Sequence, residues 1–386
     1  MITNISSILL PYNYPNINHS DLFEYLNHFE KSKSLFKKKI FFNIESPPLD
    51  PSLTFDYFAI ILNFFIKDKI IISNLFFLLT LTLTGLSSFF LINFLINNKL
   101  ISFFCGTLYM TSNYIFHQYY WGHLNLIQLQ YLPLIFLFIV KLIKNNYFDF
   151  KSSAILGILL SLQSFSSAQY SVYLLVIIIF CFFPFLVYYY YKNKIIYRKN
   201  LLLNFLIVIL LFILLSGYYI NKRLVFHKEI TRSLEENLRY GWHVNNIFDF
   251  INPSKKVYIG PLSIFYLIIC LFYFIFKKSK QKKYFFPFIL MFFISLISMF
   301  GPISKNSFYY FLYKYFPLID KFRVPLRFFP FLLLSIVVIY AYFLKNILKE
   351  QKILTKFLFL LMFWLSLILQ YAFSKYFMER YLFKFF

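Results

Sequence analysis

Two arginines four residues apart, flanking a proline, carry the most specific chemistry in the chain: Phe322-Arg323-Val324-Pro325-Leu326-Arg327-Phe328. Pro325 suits the first turn of a helix, where its missing N–H costs nothing. Arg323 and Arg327 would then share one helical face. An arginine in the first turn opposes the helix dipole, so something must compensate for it. One account is a bidentate clamp for phosphate or pyrophosphate at headgroup depth. The other is a pair of snorkelling anchors that hold the helix at a membrane interface. A second basic group, Arg223, Lys228 and Arg232, lies in the segment 221–258 with Lys222, His227, Arg239, Glu229, Glu235 and Glu236. It reads either as a solvated helix with pairs such as Glu235 with Arg239 and Arg232 with Glu235, or as a basic lid over an anionic headgroup, Tyr240 being a further contact.

His117-Gln118-Tyr119-Tyr120-Trp121-Gly122-His123 is a third constellation. His117 and His123, beside an acidic first segment, are candidates for a divalent metal together with Asp21. Their six-residue spacing puts them on no common helical face, and an aromatic turn at the membrane interface is the plainer account. Near the N-terminus, His19-Ser20-Asp21-Leu22-Phe23-Glu24 sets two carboxylates, Asp21 and Glu24, three residues apart. That spacing is by itself only an exposed acidic face.

The elements that must position these groups are transmembrane helices. Of 386 residues 60% are hydrophobic, 24% aromatic and only 14% charged, against about 25% charged in soluble domains. Soluble, disordered and disulfide-framework classes are thereby excluded. Lys and Arg number 39 against 15 Asp and Glu, a net charge of +24. In a soluble protein that balance would point to nucleic acid; here it follows the membrane topology and no nucleic-acid partner is expected. Cys105, Cys181 and Cys270 all sit in apolar runs and behave as small hydrophobes.

Runs of about 20 apolar residues are needed to cross the hydrocarbon core. They fall at roughly 70–96, 100–119, 124–143, 152–167, 169–190, 201–220, 259–276, 284–301, 326–344 and 354–373. The expectation is an all-α polytopic bundle of about ten spans. Lysines and arginines gather in every second loop: Lys99; Lys141, Lys144 and Lys151; Lys192, Lys194, Arg198 and Lys199; Lys277 to Lys283; Lys345 to Lys356. Residues 117–124 and 166–168, on the other side, hold none. By the positive-inside rule those loops are cytoplasmic. Residues 1–69, the loops 221–258 and 302–325 and the C-terminal tail 374–386 are then outside, around a bundle from 70 to 373. Nearly all carboxylates, Asp21, Glu24, Asp50, Asp56 and Glu235 among them, fall on that outer side. Residues 55–66 are too short to span and read as a re-entrant or interfacial helix. The spans hold no carboxylate, which disfavours ion-coupled transport. A flippase or transporter of lipid-linked saccharides would have to rely on Asn93, Asn113 and Gln128.

The order of these features resembles the GT-C superfamily, polytopic glycosyltransferases that use polyprenyl-phosphate sugars on the outer face. The residues that carry the resemblance are Asp21, Ser46-Pro47-Pro48, Asn74, Gly122-His123 before Pro133, Gln163 to Tyr170, Tyr258-Ile259-Gly260-Pro261 and Phe322 to Phe328. They cover most of the chain from about residue 20 to 345. The bacterial members most alike carry an Arg-x-Pro-x-Arg-Phe lead-in to a late helix. The resemblance implies a multi-pass inner-membrane enzyme with a polyprenyl-phosphate-linked sugar as donor, a glycan or lipid of the cell envelope as acceptor, and membrane lipids around it. Asp21, with Glu24, would be the base or metal-linked carboxylate. Arg323 and Arg327 would hold the lipid phosphate, with Arg223, Lys228, Arg232, His123 and Tyr240 around the substrate. The family pattern opens with a helix before the first loop, and Met1 to Pro15 offers only Ile8 to Leu10 as an apolar core. A truncated, non-catalytic relative is the alternative expectation.

Overall fold

The computed structural model describes residues 52–120, 122–144, 149–192, 195–227, 232–241, 250, 257–276, 282–322, 324–348 and 361. In chain order these form α1 (Leu53–Leu62), α2 (Lys69–Ile96), α3 (Lys99–Met110), α4 (Asn113–Tyr120), α5 (Tyr131–Lys144), α6 (Phe150–Ser166) and α7 (Ala168–Ile177). A π-helical stretch, Ile178–Phe182, leads on to α8 (Phe183–Lys192). Then follow α9 (Ile195–His227), α10 (Leu234–Arg239), α11 (Pro261–Phe276), α12 (Lys282–Met299), α13 (Phe308–Tyr315) and α14 (Phe329–Ile347). Two 3₁₀ turns, Ile319–Lys321 and Pro325–Phe328, precede the last helix. No strand occurs among the described residues.

Several of these helices begin where a short polar side chain takes up a free first-turn amide. Ser52 caps α1, Asn98 α3, Asp149 α6, Ser167 α7, Ser233 α10 and Ser307 α13. The expected break between 152–167 and 169–190 falls on Ser167, whose extended backbone ends one helix and whose hydroxyl starts the next. Four stretches are long and apolar enough to cross a bilayer: Ile71–Ile96, Ala168–Tyr188, Lys199–Asn221 and Pro325–Ile347. Leu53–Leu62, Pro261–Phe274 and Lys283–Met299 are apolar but shorter.

Two expected spans take a different form. The run 100–119 is two helices, α3 and α4, separated at Thr111 and Ser112. The run 124–143 becomes helical only at Tyr131, because residues 122–130 fold as buried turns. The expected span 354–373 lies, apart from Leu361, outside the described residues, as do residues 1–51 and the tail 374–386. The expected re-entrant run 55–66 is largely α1, which packs on α2 and α6 with Phe55, Asp56, Ala59 and Ile60 buried.

α14 is the centre of the bundle: 89% of its apolar stretch is buried, against α12, α3, α11 and α2. α9 is the opposite extreme, 17% buried, and packs chiefly on α6. A helix apolar all round and so little covered has its surface suited to hydrocarbon. The two ends of the bundle differ chemically. At one, where α2 and α5 finish, Lys144 Nζ stands 4.5 Å from the centre of the Phe94 ring and Lys141 pairs with Asp149 at 3.6 Å. At the other, where α2 begins and α4 and α6 finish, Tyr119 hydrogen-bonds Asn74, and Thr54 meets Gln128 and Ser166.

α9 approaches α6 over Gly157, where a Cβ would meet Leu211 Cβ at 2.9 Å and the Val208 carbonyl at 3.0 Å. Gly157→Leu is expected to push the two helices apart, at about 1–3 kcal/mol, and to lower the unfolding temperature in detergent. Gly217→Ala, which meets only an Ile213 methyl at 3.4 Å, should leave it unchanged or slightly raised.

Candidate functional site

The lead-in to α14 is held by tyrosines. Tyr173 donates to the Val324 carbonyl at 3.3 Å and stacks on Phe328, ring centres 4.3 Å apart; Gln169 Nε2 donates back to its hydroxyl at 3.0 Å. Tyr109 donates to the Pro330 carbonyl at 3.4 Å. Pro325 opens a 3₁₀ turn that runs into α14, so Arg327 sits just ahead of the helix in a half-buried position. Its guanidinium lies within electrostatic reach of the Tyr114, Tyr170 and Tyr173 hydroxyls. Among the described residues the ion pairs are Lys141 with Asp149, Arg232 with Glu236 and Lys321 with Asp320, and none involves Arg327. Arg323, its expected partner in the clamp, lies outside the described residues, as do Asp21, Glu24 and Lys228. Arg223 is placed only as backbone within α9.

The two outer loops of the sequence reading meet. The Arg232 amide donates to the Asp320 carbonyl at 2.9 Å, Tyr313 donates to the Arg232 carbonyl at 2.6 Å, and Tyr309 donates to Asn237 Oδ1 at 3.0 Å. The segment 232–241 is thereby pinned over α13 and the chain leading to Pro325. The charge pair that forms is Arg232 with Glu236 at 3.3 Å, not Arg232 with Glu235. α10 starts only at Leu234, and four residues of separation bring Glu236 beneath Arg232. That pairing engages Arg232 within its own segment. Tyr240 is exposed at its end.

His117 is half-buried in the last turn of α4. His123 is half-buried just beyond it, with Nδ1 2.7 Å from Gln118 Oε1. One turn back on α4, the Tyr114 hydroxyl is 2.8 Å from that of Tyr170, and Tyr170 donates to the Leu126 carbonyl at 3.1 Å. Among the described residues no three His, Cys, Asp or Glu side chains converge as a metal site would require.

The sequence offers Gln128 only as a polar candidate for a transport path, and Asp56 only as one carboxylate among several. Gln128 is fully buried and joins α1 to the bundle: its amide donates to Ser52 and to the Leu124 carbonyl (3.0 Å), and it accepts from Thr54. Thr54 also donates to Ser166 at 3.3 Å. Asp56, 3% exposed in the first turn of α1, is a buried carboxylate at this end. The signal for it was the Ser52 cap four residues earlier. Beside the lead-in lies a cavity of about 200 Å³, lined by Ser171, Leu175, Phe212, Tyr219, Lys321 and Phe322 and apolar nearly throughout.

No family model, no curated protein and no solved structure matches the chain.

Burial holds the Tyr309 phenol well above the ordinary tyrosine range, with Tyr173 adding to the effect. The folded chain therefore keeps this proton more firmly than the unfolded chain. Its contribution to stability is complete below about pH 10 and is lost as the pH rises beyond it. Tyr309→Phe is expected to cost about 1–3 kcal/mol at neutral pH, because Asn237 loses its donor, and to flatten the alkaline limb of the unfolding curve measured against pH.

Proposed function

We propose that this chain is an inverting membrane glycosyltransferase of GT-C type, moving a sugar from a polyprenyl-phosphate donor to a glycan or lipid of the cell envelope on the outer face of the inner membrane. In this reading the bundle crosses about ten times, with the lysine-rich end cytoplasmic and the tyrosine-rich end outside. The observation that carries the proposal is Arg327. A half-buried guanidinium with no carboxylate beside it among the described residues, fixed ahead of a rigid helix at one end of the bundle, is suited to an anion that arrives from elsewhere. When the bond between the sugar and its phosphate breaks, the electron pair leaves on the phosphate, and a cation already in place stabilises that charge without reorganising. The apolar cavity alongside, with Lys321 in its wall, suits the hydrocarbon part of such a donor.

Asp21 with Glu24 would serve as base or metal-linked carboxylate, and Arg323 would complete the clamp. Arg223, Lys228, Arg232 and Tyr240 would close over the headgroup, with His123 at its edge. A flippase of lipid-linked saccharides has less to support it. It needs polar side chains along an open path, and Gln128, a main candidate, is buried with both ends of its amide bonded.

The test is transfer by the purified full-length chain in liposomes, using polyprenyl-phosphate donors that carry labelled hexoses or pentoses. The wild type is expected to transfer from one of them. Arg327→Ala should lose about 10²–10³-fold in kcat, and Arg327→Lys should recover part of that loss because a point charge replaces the planar fork. No transfer from any lipid-linked sugar overturns the proposal.

A further inference from the structure

Lysines gather at the end of the bundle where α2 and α5 finish and α3 and α6 begin. α2 stops at Asn97, which takes the left-handed conformation (φ +52°) that asparagine tolerates, and the Asn97 amide closes on the Asn93 carbonyl at 2.7 Å. Asn98 then caps α3, accepting from the Ile101 amide at 3.1 Å. This tight turn sets Lys99 five positions after Phe94. Lys144, at the end of α5, holds its ammonium 4.5 Å from the centre of that Phe94 ring. One turn earlier Lys141 reaches Asp149 at 3.6 Å. Asp149 caps α6 by accepting from the Ser152 amide at 2.9 Å, with Lys151 in the first turn. Four helix ends thus bring Lys99, Lys141, Lys144 and Lys151 to one corner.

The corner is short of negative charge. Over residues 93–103 and 138–155 the sequence holds one carboxylate, Asp149, and Lys141 already engages it. Lys99, Lys144 and Lys151 are exposed, and none of them takes part in an ion pair among the described residues. Lys99 and Lys151 also stand in first turns, where the helix dipole disfavours a cation. An anion beside them offsets both repulsions. The depth of the corner says which anion. α2 is long and apolar enough to cross a bilayer and Phe94 lies in its last turn, so the lysines stand at headgroup level. Toward the hydrocarbon, Phe90 one turn back on α2 and Phe103 one turn into α3 are 51% and 56% exposed. A ligand that is anionic at one end and apolar beyond it matches both features, whereas a soluble phosphate matches only the first.

We propose that this corner binds an anionic phospholipid, with Lys99, Lys144 and Lys151 supplying the charge for its phosphate and Phe90 and Phe103 the surface for its acyl chains. The inference needs no part of the glycosyltransferase reading.

The test places the full-length protein in nanodiscs made of equal amounts of phosphatidylglycerol and phosphatidylcholine and reads the retained lipid by native mass spectrometry. The wild type is expected to keep phosphatidylglycerol in preference, and to lose that preference as the salt concentration rises. Lys99→Gln, Lys144→Gln and Lys151→Gln should each lower the preference about 5-fold. Combined, they should abolish it while leaving the unfolding temperature in neutral detergent unchanged. Lys67→Gln, Lys305→Gln and Lys314→Gln together remove the same charge from exposed lysines at the other end of the bundle, and should leave the preference in place. No preference in the wild type overturns the proposal. So does an equal loss in both triple variants, which assigns the effect to net charge alone. Displacement of phosphatidylglycerol by inorganic phosphate, added against chloride at the same ionic strength, overturns the lipid in favour of a free anion. The single variants decide the matter even where a triple variant does not fold.

Discussion

Backbone that is buried without being helical must find its hydrogen-bond partners in turns and side chains, and residues 122–130 impose that constraint on this fold. Leu124, Leu126, Ile127 and Leu129 have no exposed surface. In a bundle surrounded by lipid an unmet peptide group costs several kcal/mol. Gly122, with φ at +74°, turns the chain out of α4 where another residue would be strained. Its amide reaches the Tyr119 carbonyl at 2.9 Å, the His123 amide reaches Gln118 at 3.0 Å, and the Leu126 amide reaches His123 at 2.9 Å. The carbonyls of Leu124 and Leu126 are met from outside the segment's backbone, by Gln128 and Tyr170. Much of this end of the bundle follows from those two bonds. Gln128, once fixed on Leu124, gives Thr54 of α1 its acceptor; Tyr170, once fixed on Leu126, offers its oxygen to Tyr114 of α4.

The second organising element is α14, which supplies the stiffness. It is surrounded by other helices over nearly its whole length, so its lead-in cannot drift without dragging the core. Tyr173 and Tyr109 fasten the lead-in to α7 and α3 through the Val324 and Pro330 carbonyls. Pro325 has no N–H to satisfy and holds φ in the range the turn needs. A side chain projecting from this junction is held more firmly than one on a loop, and Arg327 is the one charged side chain of the Pro325–Phe328 turn.

What the sequence made legible was the part governed by composition and period. An apolar chain with capped runs had to be helical, and the polar gap at Gln163 to Gln169 had to be a boundary, because Ser167 can end one helix and cap another. The turn at 122–130 was hidden, since Leu124-Asn125-Leu126-Ile127-Gln128-Leu129 is as apolar as a span and its polar residues bond inward. Pro133 was the available clue. A proline belongs in the first turn of a helix, so α5 had to begin close to Tyr131 and not at 124. The candidate site was legible only where it depended on local chemistry. Arg327 could be read from its neighbours, whereas the contact between the 232–241 segment and α13 depends on Asn237 and Arg232 meeting residues about 70 to 90 positions later. No local period encodes that meeting.

The same physics that makes Arg327 visible also makes it informative about ligands. A guanidinium stays charged at any pH a protein tolerates, so it cannot relieve desolvation by losing its proton as a lysine can. Phenolic oxygens around it offset only part of that cost, because the Tyr170 and Tyr173 hydrogens point to backbone carbonyls and their oxygens are shared with Tyr114 and Gln169. If the residue is a clamp, an anion bound at this junction would offset the hydration that the half-buried guanidinium has given up. By linkage such an anion stabilises the folded chain in proportion to its affinity. A pair of snorkelling anchors would behave differently: their charges would already be solvated at the interface, and an added anion would return little stability. Whether the residue is a clamp or an anchor is thus a question of how much water it has lost, and a half-buried position beside three tyrosines favours the clamp.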